Sequence, residues 1–556
     1  LSPAPTPMRA SPAAFAALIA AAAPVAPFGF AFAPVPAGRH SRRRCRSAIV
    51  RGSSASFVGV PATATTTTTT STTTTTKPFP SALRSAIADE AAETNADADA
   101  ASPSDDPSTS SSSTTMSTSV LRSVSSSSKS SLEWGRTFDL TGSETTLHAV
   151  FSGIRNAAIL GSRKGAAPFV LRDGEVMESL KKGGEGDEDE EFESAKGFFT
   201  YEDLCDAVRD DFLDADRGST DNRRGWKVAA VSKPRGDSFD DARMTKEEID
   251  SALEKGTVIL SAAGAHIPKL AGATLACTDA SSLPCAANLY VTAAGKRTSA
   301  PPHTDRQDVV VVQTQGRKHW RVYGPPDAGR DPDADPFARG KGDDDLPLPS
   351  LEDGRLGCEK LLDVTLEPGD VLFIPAAFPH TTDTVLSGDR PEETSLHLTF
   401  NFDTHVWDLD YLSARRLALR RAGVRDAALG RERDDENRYT GKCNEVTGEV
   451  RGELFGALPL GLLDEDNDEE DDEDNKDAAA PALVEETATE LERIARALDP
   501  NTASLVPPQI WTEIVMALRT QGLALMDVHR DMYLAAVEEG RTRRAEDEMT
   551  AHLGGG

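Results

Sequence analysis

Two β-strand patterns meet in the stretch DVVVVQTQGRKHWRVY at residues 308–323. An apolar run at 309–312 belongs to a first strand, the pair Gln315-Gly316 suits a tight turn after it, and a second strand follows the turn. If this pair forms the loop of a hairpin, Gln313 pairs with Lys318, and directly paired residues share one face of the sheet. The stretch therefore predicts a β-hairpin inside a β-sandwich or barrel.

A His-x-Asp motif precedes this stretch, in PPHTD at residues 301–305, and His380 follows further along the chain. Side chains two apart in a strand face the same way, so His303 and Asp305 are expected to face one cavity while Thr304 faces out. Two imidazoles and one carboxylate leave three octahedral positions open, as non-haem Fe(II) oxygenases need for a chelating cosubstrate and dioxygen. The motif alone is also compatible with a surface hydrogen bond between the two side chains.

Counting in twos from Gln313 leads back to Asp305 and His303, so the hairpin register places Lys318 on the same face as the metal ligands. An ammonium there could hold the distal carboxylate of a dicarboxylate ligand. A register shifted by one residue would present His319 instead. A solvated lysine near a hairpin turn is the alternative interpretation.

Two further motifs flank the candidate ligands. The sequence EPGDVLFIPAAFPH at residues 367–380 contains a turn, an apolar strand at 371–374 and a proline-flanked approach to His380. The sequence NLY at residues 288–290 lies on its own apolar strand upstream of the His-x-Asp motif.

Taken in order, these motifs are Asn-x-Tyr, Pro-Pro-His-x-Asp, Gln-x-x-Gly-x-Lys-x-Trp-Arg-Val-Tyr and Glu-Pro-Gly-Asp-x-Leu-x-Ile-Pro with a following His. Together they resemble the JmjC-type ribosomal oxygenases, which are 2-oxoglutarate- and Fe(II)-dependent hydroxylases. The resemblance covers roughly residues 165–410. It implies a mainly β core, the double-stranded β-helix of JmjC and cupin barrels, with flanking helices and a helical C-terminal region.

The resemblance also assigns roles by position. It implies that His303, Asp305 and His380 are the catalytic iron ligands, and that Lys318 binds the distal carboxylate of 2-oxoglutarate. It implies four more residues of the cosubstrate pocket: Asn288, Tyr290, His397 and Asn401. Those four are also compatible with polar groups at strand ends. The chain departs from the family at Thr304, where an aromatic residue is usual, and in an acidic insertion at 327–347, so substrate identity stays open.

Charge argues against a nucleic-acid partner. The 556 residues carry 60 Lys and Arg against 90 Asp and Glu, a net charge of −30, and the acids begin only at Asp89. An acidic body lacks the basic face that binding to phosphates requires.

The six cysteines form no Cys-x-x-Cys pair, which excludes a zinc ribbon and favours reduced thiols.

The N-terminal 60 residues predict a targeting leader. An apolar, Ala-rich stretch at 13–26 follows Arg9, with Met8 as a plausible start, and an acid-free segment with six arginines follows Phe32. This order resembles the bipartite plastid leader of algae with secondary plastids, which implies a plastid destination; a nuclear or nucleolar location and an unstructured Ala-rich tail are the alternatives.

Composition then divides the rest of the chain. Residues 61–131 are rich in Thr and Ser and predict a disordered linker, 132–410 the oxygenase domain, and 411–556 a helical region with an acidic linker at 464–477. In relatives a helical dimerisation region and a winged helix follow the barrel; the C-terminal helices could supply the first, and no winged-helix pattern is visible. Outside the leader, no stretch has the length of a membrane span.

The leading functional hypothesis is a hydroxylase that acts on a side chain of a basic protein, with a ribosomal protein as the favoured substrate. An N-methyl-lysine demethylase and an RNA-base hydroxylase are variants of the same chemistry, and the acidic surface disfavours the second. A non-catalytic cupin-type binding protein is the alternative from another class.

Overall fold

A computed structural model describes the chain at residues 111–124, 129, 131–133, 137–157, 167–183, 192–210, 226–230, 233–238, 245–297, 299–305, 307–325, 346, 348–385, 393–402, 404, 407–425, 453–454, 456–464 and 479–554. The predicted leader and most of the predicted Thr/Ser-rich linker lie outside the described residues. Among the described residues, no helix combines the length and the apolar character that crossing a membrane requires.

Fourteen strands are found in the described part of the chain: β1 (Ser131–Glu133), β2 (Thr137–Asp139), β3 (Phe169–Leu171), β4 (Trp226–Ala230), β5 (Lys233–Ser238), β6 (Thr257–Leu260), β7 (Cys285–Thr292), β8 (Ala300–His303), β9 (Asp308–Gln315), β10 (Lys318–Tyr323), β11 (Lys360–Leu366), β12 (Val371–Ile374), β13 (His380–Asp383) and β14 (Ser395–Phe402). The eight-stranded major sheet has the order β3-β12-β9-β14-β7-β6-β4-β5, and the four-stranded minor sheet has the order β11-β10-β13-β8. Every reported pairing is antiparallel.

The two faces of the major sheet bury different sets of side chains. On β9, Val309 and Val311 pack with Trp320 of the minor sheet, whereas Val310 and Val312 pack with the helices on the other side. Successive side chains of a strand point to opposite faces, so the continuous apolar run of β9 serves both layers. The result is the predicted double-stranded β-helix, with one core between the sheets and a second core under a helix layer.

The helices described are α1 (Ser111–Val124), α2 (Gly142–Asn156), α3 (Asp173–Gly183), α4 (Tyr201–Arg209), α5 (Lys246–Lys255), α6 (Pro268–Ser281), α7 (Leu348–Glu352), α8 (Tyr411–Arg421), α9 (Ala479–Leu498), α10 (Pro500–Ala503) and α11 (Pro508–Gly554). α5 begins with a capping box, because the Thr245 side chain accepts from the Glu248 amide and the Glu248 carboxylate accepts from the Thr245 amide.

Helix α1 lies inside the segment expected to be a disordered linker, so that expectation is wrong over 111–124. Its Val120 and Val124 are fully buried in the main core. A Cβ on Gly153 of α2 would lie 2.6 Å from Cγ2 of Val124, so the small residue allows close packing of the two helices. Two valines one turn apart suffice to bury one face of an otherwise Ser-rich helix, which composition alone does not reveal.

The predicted hairpin between β9 and β10 is wrong. β9 pairs with β12 on one side and β14 on the other, so its backbone has no edge left for β10, which joins the minor sheet. The chain crosses between the sheets at Gly316, whose φ of 61° is left-handed. A Cβ there would lie 2.5 Å from the carbonyl oxygen of Thr394, so only glycine fits this corner.

The C-terminal helices pack onto the same body. Trp511 and Val515 of α11 are buried in the main core, and the Tyr533 hydroxyl donates a hydrogen bond of 2.6 Å to the carbonyl oxygen of Cys285 on β7. α9 contributes Leu491 to the same core. The C-terminal region is therefore helical, as predicted, and is anchored on the barrel; the dimerisation hypothesis stays a prediction.

Candidate active site

The structure brings the three predicted ligand residues together. The candidate ligand atoms of His303, Asp305 and His380 all lie within 4.8 Å of one another. Oδ2 of Asp305 lies 3.5 Å from Nε2 of His380 and 3.9 Å from Nε2 of His303. The two histidines are direct partners across β8 and β13 of the minor sheet. Two nitrogen donors and one carboxylate oxygen form the donor set that non-haem Fe(II) prefers, so the residues fit this metal.

Backbone carbonyls orient both imidazoles. Nδ1 of His303 lies 2.7 Å from the carbonyl oxygen of Pro301, and Nδ1 of His380 lies 3.0 Å from that of Phe378. A carbonyl oxygen only accepts, so each Nδ1 carries the proton and donates it. This arrangement leaves Nε2 of each ring as the nitrogen that can bind a metal ion, and such outer contacts fix ring orientation in metal sites.

His303 and Asp305 were expected to face one cavity because side chains alternate along a strand. In the structure, alternation is not what brings these two residues together. β8 ends at His303, and Asp305 lies in the loop that follows it. Thr304 is fully buried, so the expectation that it faces out is wrong. The loop is held instead by a hydrogen bond of 2.8 Å that the Ala377 amide donates to the carbonyl oxygen of Asp305.

Lys318 lies inside the barrel although the predicted hairpin does not form. It is the first residue of β10 after the corner and is 1% exposed, and its Nζ donates to Oγ1 of Thr292 at 3.1 Å. Among the described residues no carboxylate forms an ion pair with it. Burial lowers the pKa of Lys318 to about 7, against the opposing attraction of Asp383. A buried ammonium paired only with a hydroxyl suits an anionic ligand, which would supply the missing charge.

His319, which a shifted register would have presented, lies on the opposite face of β10. Its Nε2 lies 2.6 Å from Oδ1 of Asp363, and its Nδ1 lies 3.1 Å from Oδ2 of Asp383. The hydrogen bond to Asp383, followed by that to Asp363, raises the pKa of His319, against the effect of burial. This histidine belongs to a charged network on the outer surface of the minor sheet.

Tyr290 and His397 form one wall of the barrel interior. They are direct partners across β7 and β14, and their rings stack with centroids 4.8 Å apart and an interplanar angle of 9°. Burial, followed by the positive charge of Lys318, holds the pKa of His397 well below its usual range, so the imidazole is neutral. Burial and the negative charge of Asp305 raise the pKa of Tyr290, so its hydroxyl keeps its proton.

The two predicted asparagines are engaged with the backbone. The side-chain oxygen of Asn288 accepts from the Ala262 amide at 2.8 Å, and the Asn401 side chain donates weakly to the carbonyl oxygen of Ala286 at 3.3 Å. Asn288 secures Ala262, a residue with a left-handed φ of 53°. Both lie on the face of the major sheet that carries His397, and these contacts agree with the interpretation as polar groups of the strands.

Two further residues line the interior to which the sequence motifs assigned no role. Trp320 and Gln313 lie on the same faces as Lys318 and His397, respectively. Three buried polar atoms on these faces have no hydrogen-bond partner among the described residues: Oε1 of Gln313, Nε1 of Trp320 and Nδ1 of His397. Buried polar groups are normally paired, so these atoms are consistent with a polar ligand between the sheets. The signals that could have found them are the two-residue spacing from Lys318 to Trp320 and the predicted face shared by Gln313 and Lys318.

Residues 273–408, which include the triad and Lys318, match the family model described as the JmjC domain. This part of the chain is similar to JmjC domains. Over 182 residues it is 32% identical to "Ribosomal oxygenase 1" of Danio rerio, a match that covers 32% of this chain and 30% of that protein.

A second relative is the "Bifunctional lysine-specific demethylase and histidyl-hydroxylase NO66" of Aedes aegypti. It is 34% identical over 122 residues, which cover 22% of this chain and 16% of the relative. The matches thus span less than a third of the length of these relatives. Among solved structures, the ribosomal oxygenase YcfD of Escherichia coli in complex with cobalt and 2-oxoglutarate is similar, with 17% identity, a TM-score of 0.23, and coverage of 45% of this chain and 54% of that one.

Proposed function

We propose that this protein is a 2-oxoglutarate- and Fe(II)-dependent dioxygenase that hydroxylates a side chain of a protein. The observation that carries the proposal is that one barrel holds both the triad of His303, Asp305 and His380 and the buried Lys318, which forms no ion pair with a carboxylate of the described residues. The JmjC match over the same residues supports it.

His303, Asp305 and His380 would hold the metal, and Lys318 would bind the distal carboxylate of the cosubstrate. Fe(II) with 2-oxoglutarate supplies an oxidising centre that inserts one oxygen atom of O₂ into a C–H bond while the cosubstrate is converted to succinate and CO₂. The protein residues bind and orient the reactants. Lys318 is almost fully buried between the sheets, and the low dielectric constant of such a position strengthens its attraction for a carboxylate.

We propose a basic protein of the ribosome as the substrate. The relatives are named for ribosomal oxygenase, histidyl-hydroxylase and lysine demethylase activities, so hydroxylation and demethylation both agree with the family. The net charge of −30 favours encounter with basic polypeptides and disfavours nucleic acid. Hydroxylation is the proposed reaction, because the motif from Gln313 to Tyr323 resembles that of the ribosomal oxygenases.

The test is mass spectrometry of basic ribosomal proteins incubated with the purified chain, Fe(II), 2-oxoglutarate and O₂, with Asp305→Ala as the inactive control. The expected product carries one added oxygen atom on a side chain, and succinate forms in equal amount. If the substrate instead loses a methyl group and formaldehyde is released, the reaction is demethylation and the proposed hydroxylation is wrong. The absence of succinate with every substrate tested would favour the non-catalytic binding protein.

We further propose that residues 1–60 direct the protein to a plastid, on the sequence pattern alone. Fusing residues 8–75 to a fluorescent protein in an alga with a secondary plastid tests this. Fluorescence in the plastid stroma, lost when Phe32 is replaced, is the expected result, and nuclear or cytosolic fluorescence would contradict the proposal.

A further inference from the structure

The segment that leads into His380 has an unusual backbone. Residues 375–379, sequence PAAFP, connect β12 to β13, and Ala377 adopts a left-handed φ of 69°. Such a conformation costs a residue with a Cβ free energy, so the surrounding structure must hold it in place. A strained residue three positions from a candidate metal ligand calls for a physical reason.

This segment fixes the metal site through three hydrogen bonds. The Ala377 amide donates to the carbonyl oxygen of Asp305 at 2.8 Å, and the Ala376 amide donates to Oδ1 of Asp308 at 2.7 Å. The carbonyl oxygen of Phe378 receives the bond from Nδ1 of His380. The segment therefore orients one imidazole ligand directly, and it holds the backbone on which the carboxylate ligand lies.

The C-terminal region packs against the same segment. Ala376 and Ala377 belong to a small apolar cluster that is separate from the main core and that we call the brace; its other buried members are Leu412 of α8, Ile494 of α9 and Leu454. Ile494 and Leu412 are each 1% exposed and Leu454 is fully buried.

Polar contacts tie the parts of the brace to one another. Arg493, next to Ile494 on α9, forms an ion pair of 2.9 Å with Glu453, next to Leu454. The Tyr411 amide at the start of α8 donates to the carbonyl oxygen of Gly456 at 3.1 Å. The brace is therefore one connected unit, and its members come from outside residues 273–408 except for the two alanines.

We propose that the brace positions the metal site, with Ile494 as its central positioning residue. The three large side chains of the brace pack against Ala376 and Ala377. This packing maintains the left-handed turn at Ala377, and the hydrogen bonds to Asp305 and His380 come from the same segment. The helical C-terminal region then contributes to the geometry of the metal site. Residues 273–408 alone lack the contacts that complete this site. The inference rests on the proposed metal site.

The experiment titrates Co(II) into the full-length protein and follows the visible absorption of the bound ion, for wild type, Ile494→Ala, Ile494→Leu and Leu491→Ala. Leu491 lies three residues earlier on α9 and is fully buried, but it packs in the main core and not in the brace. Truncation of either residue removes apolar contacts of similar size, so a general loss of packing affects both variants.

We expect Ile494→Ala to raise the dissociation constant for Co(II) by about tenfold or more, as loss of outer contacts does at other metal sites, and to alter the shape of the absorption bands. Ile494→Leu should restore the wild-type values, and Leu491→Ala should keep them while lowering the melting temperature. If Ile494→Ala does not fold, Ile494→Val takes its place, with a smaller rise expected.

Equal Co(II) affinity in wild type and in the folded Ile494 variant would overturn the brace while leaving the proposed function intact. Equal weakening by Leu491→Ala would also overturn it, because general destabilisation would then explain the effect. A wild-type chain that binds no Co(II) would overturn the proposed metal site and the brace together.

Discussion

Nε2 of His380 and Oδ2 of Asp305 approach to 3.5 Å although the two residues come from different segments of the chain. His380 begins β13, whereas Asp305 lies in the loop after β8. Only the folded barrel creates this proximity. A cation between them would offset the charge of the carboxylate and use the nitrogen that the bond to Phe378 leaves available.

Removal of any one triad residue should abolish metal binding and succinate formation. With three protein ligands, loss of one removes a third of the donor set, so His303→Ala, Asp305→Ala and His380→Ala should each lose nearly all turnover. Co(II) titration and a succinate assay measure the two effects, and circular dichroism checks the fold. Wild-type turnover in any of the three variants would contradict the assignment.

Affinity for 2-oxoglutarate should fall as pH rises above neutrality. The pKa of Lys318 is about 7 without ligand, and a bound carboxylate favours the ammonium and raises that pKa. Binding therefore needs a protonated Lys318. It should be insensitive to this group below pH 7 and should weaken by up to about tenfold per pH unit above it.

Calorimetric titration of the Co(II)-loaded protein between pH 6 and 9 measures this dependence. A 2-oxo monocarboxylate, which has the chelating end without the distal carboxylate, is the control and should lack the Lys318 component. Lys318→Ala should weaken binding of 2-oxoglutarate by about tenfold or more and remove the difference between the two ligands. Parallel pH profiles for both ligands in the wild type would refute the role of Lys318.

The sequence predicted the strands and the members of the triad better than it predicted their connections. Residues 309–312 of β9 are all valine because both faces of the strand are buried there, and such a run is recognisable from the local sequence. Which strands pair is a non-local property: the hairpin at Gln315 failed because β12 and β14 already occupy both edges of β9. Lys318 nevertheless lies inside the barrel, because it is the first residue of β10 and its side chain is on the face of this strand that points to the interior.

Other parts of the site depend on contacts that no pattern reveals. The left-handed turn at Ala377 carries no glycine or asparagine to mark it. Ile494 is 114 residues beyond His380, and nothing in its local sequence indicates that it belongs to one apolar cluster with Ala376 and Ala377. The buried role of Val120 in a Ser-rich segment is a further case, since tertiary packing there outweighs composition.

Gly316→Ala should destabilise the protein strongly. The substitution places a Cβ at a left-handed φ of 61° and 2.5 Å from the carbonyl oxygen of Thr394. Backbone strain and overpacking together should cost about 2 to 5 kcal/mol. Gly423→Ala is the matched control, because Gly423 has a similar φ of 69° and no atom of the described residues lies within 4 Å of the new Cβ.

Urea denaturation of both variants measures this difference. The control should lose about 1 to 2 kcal/mol, the cost of the backbone conformation alone. If Gly316→Ala loses no more than Gly423→Ala, the corner between the sheets is not as tightly packed as the structure has it.

The network around His319 should make stability depend on pH in a defined direction. His319 lies between Asp383 and Asp363, Arg321 donates to Asp383, and Lys360 donates to Asp363 at 2.9 Å. The two carboxylates raise the pKa of His319 above 6.5 in the folded state, so folding favours the imidazolium. The stabilisation from this group is complete below the unfolded pKa of about 6.5 and is lost as pH rises through the higher folded value.

Melting temperatures of wild type and His319→Gln between pH 5.5 and 8.5 measure this stabilisation. The melting temperature of the wild type should exceed that of the variant most at low pH, and the gap should narrow as pH rises. A gap that widens with pH would show that His319 is neutral in the folded protein and that Arg321 and Lys360 alone balance the two aspartates.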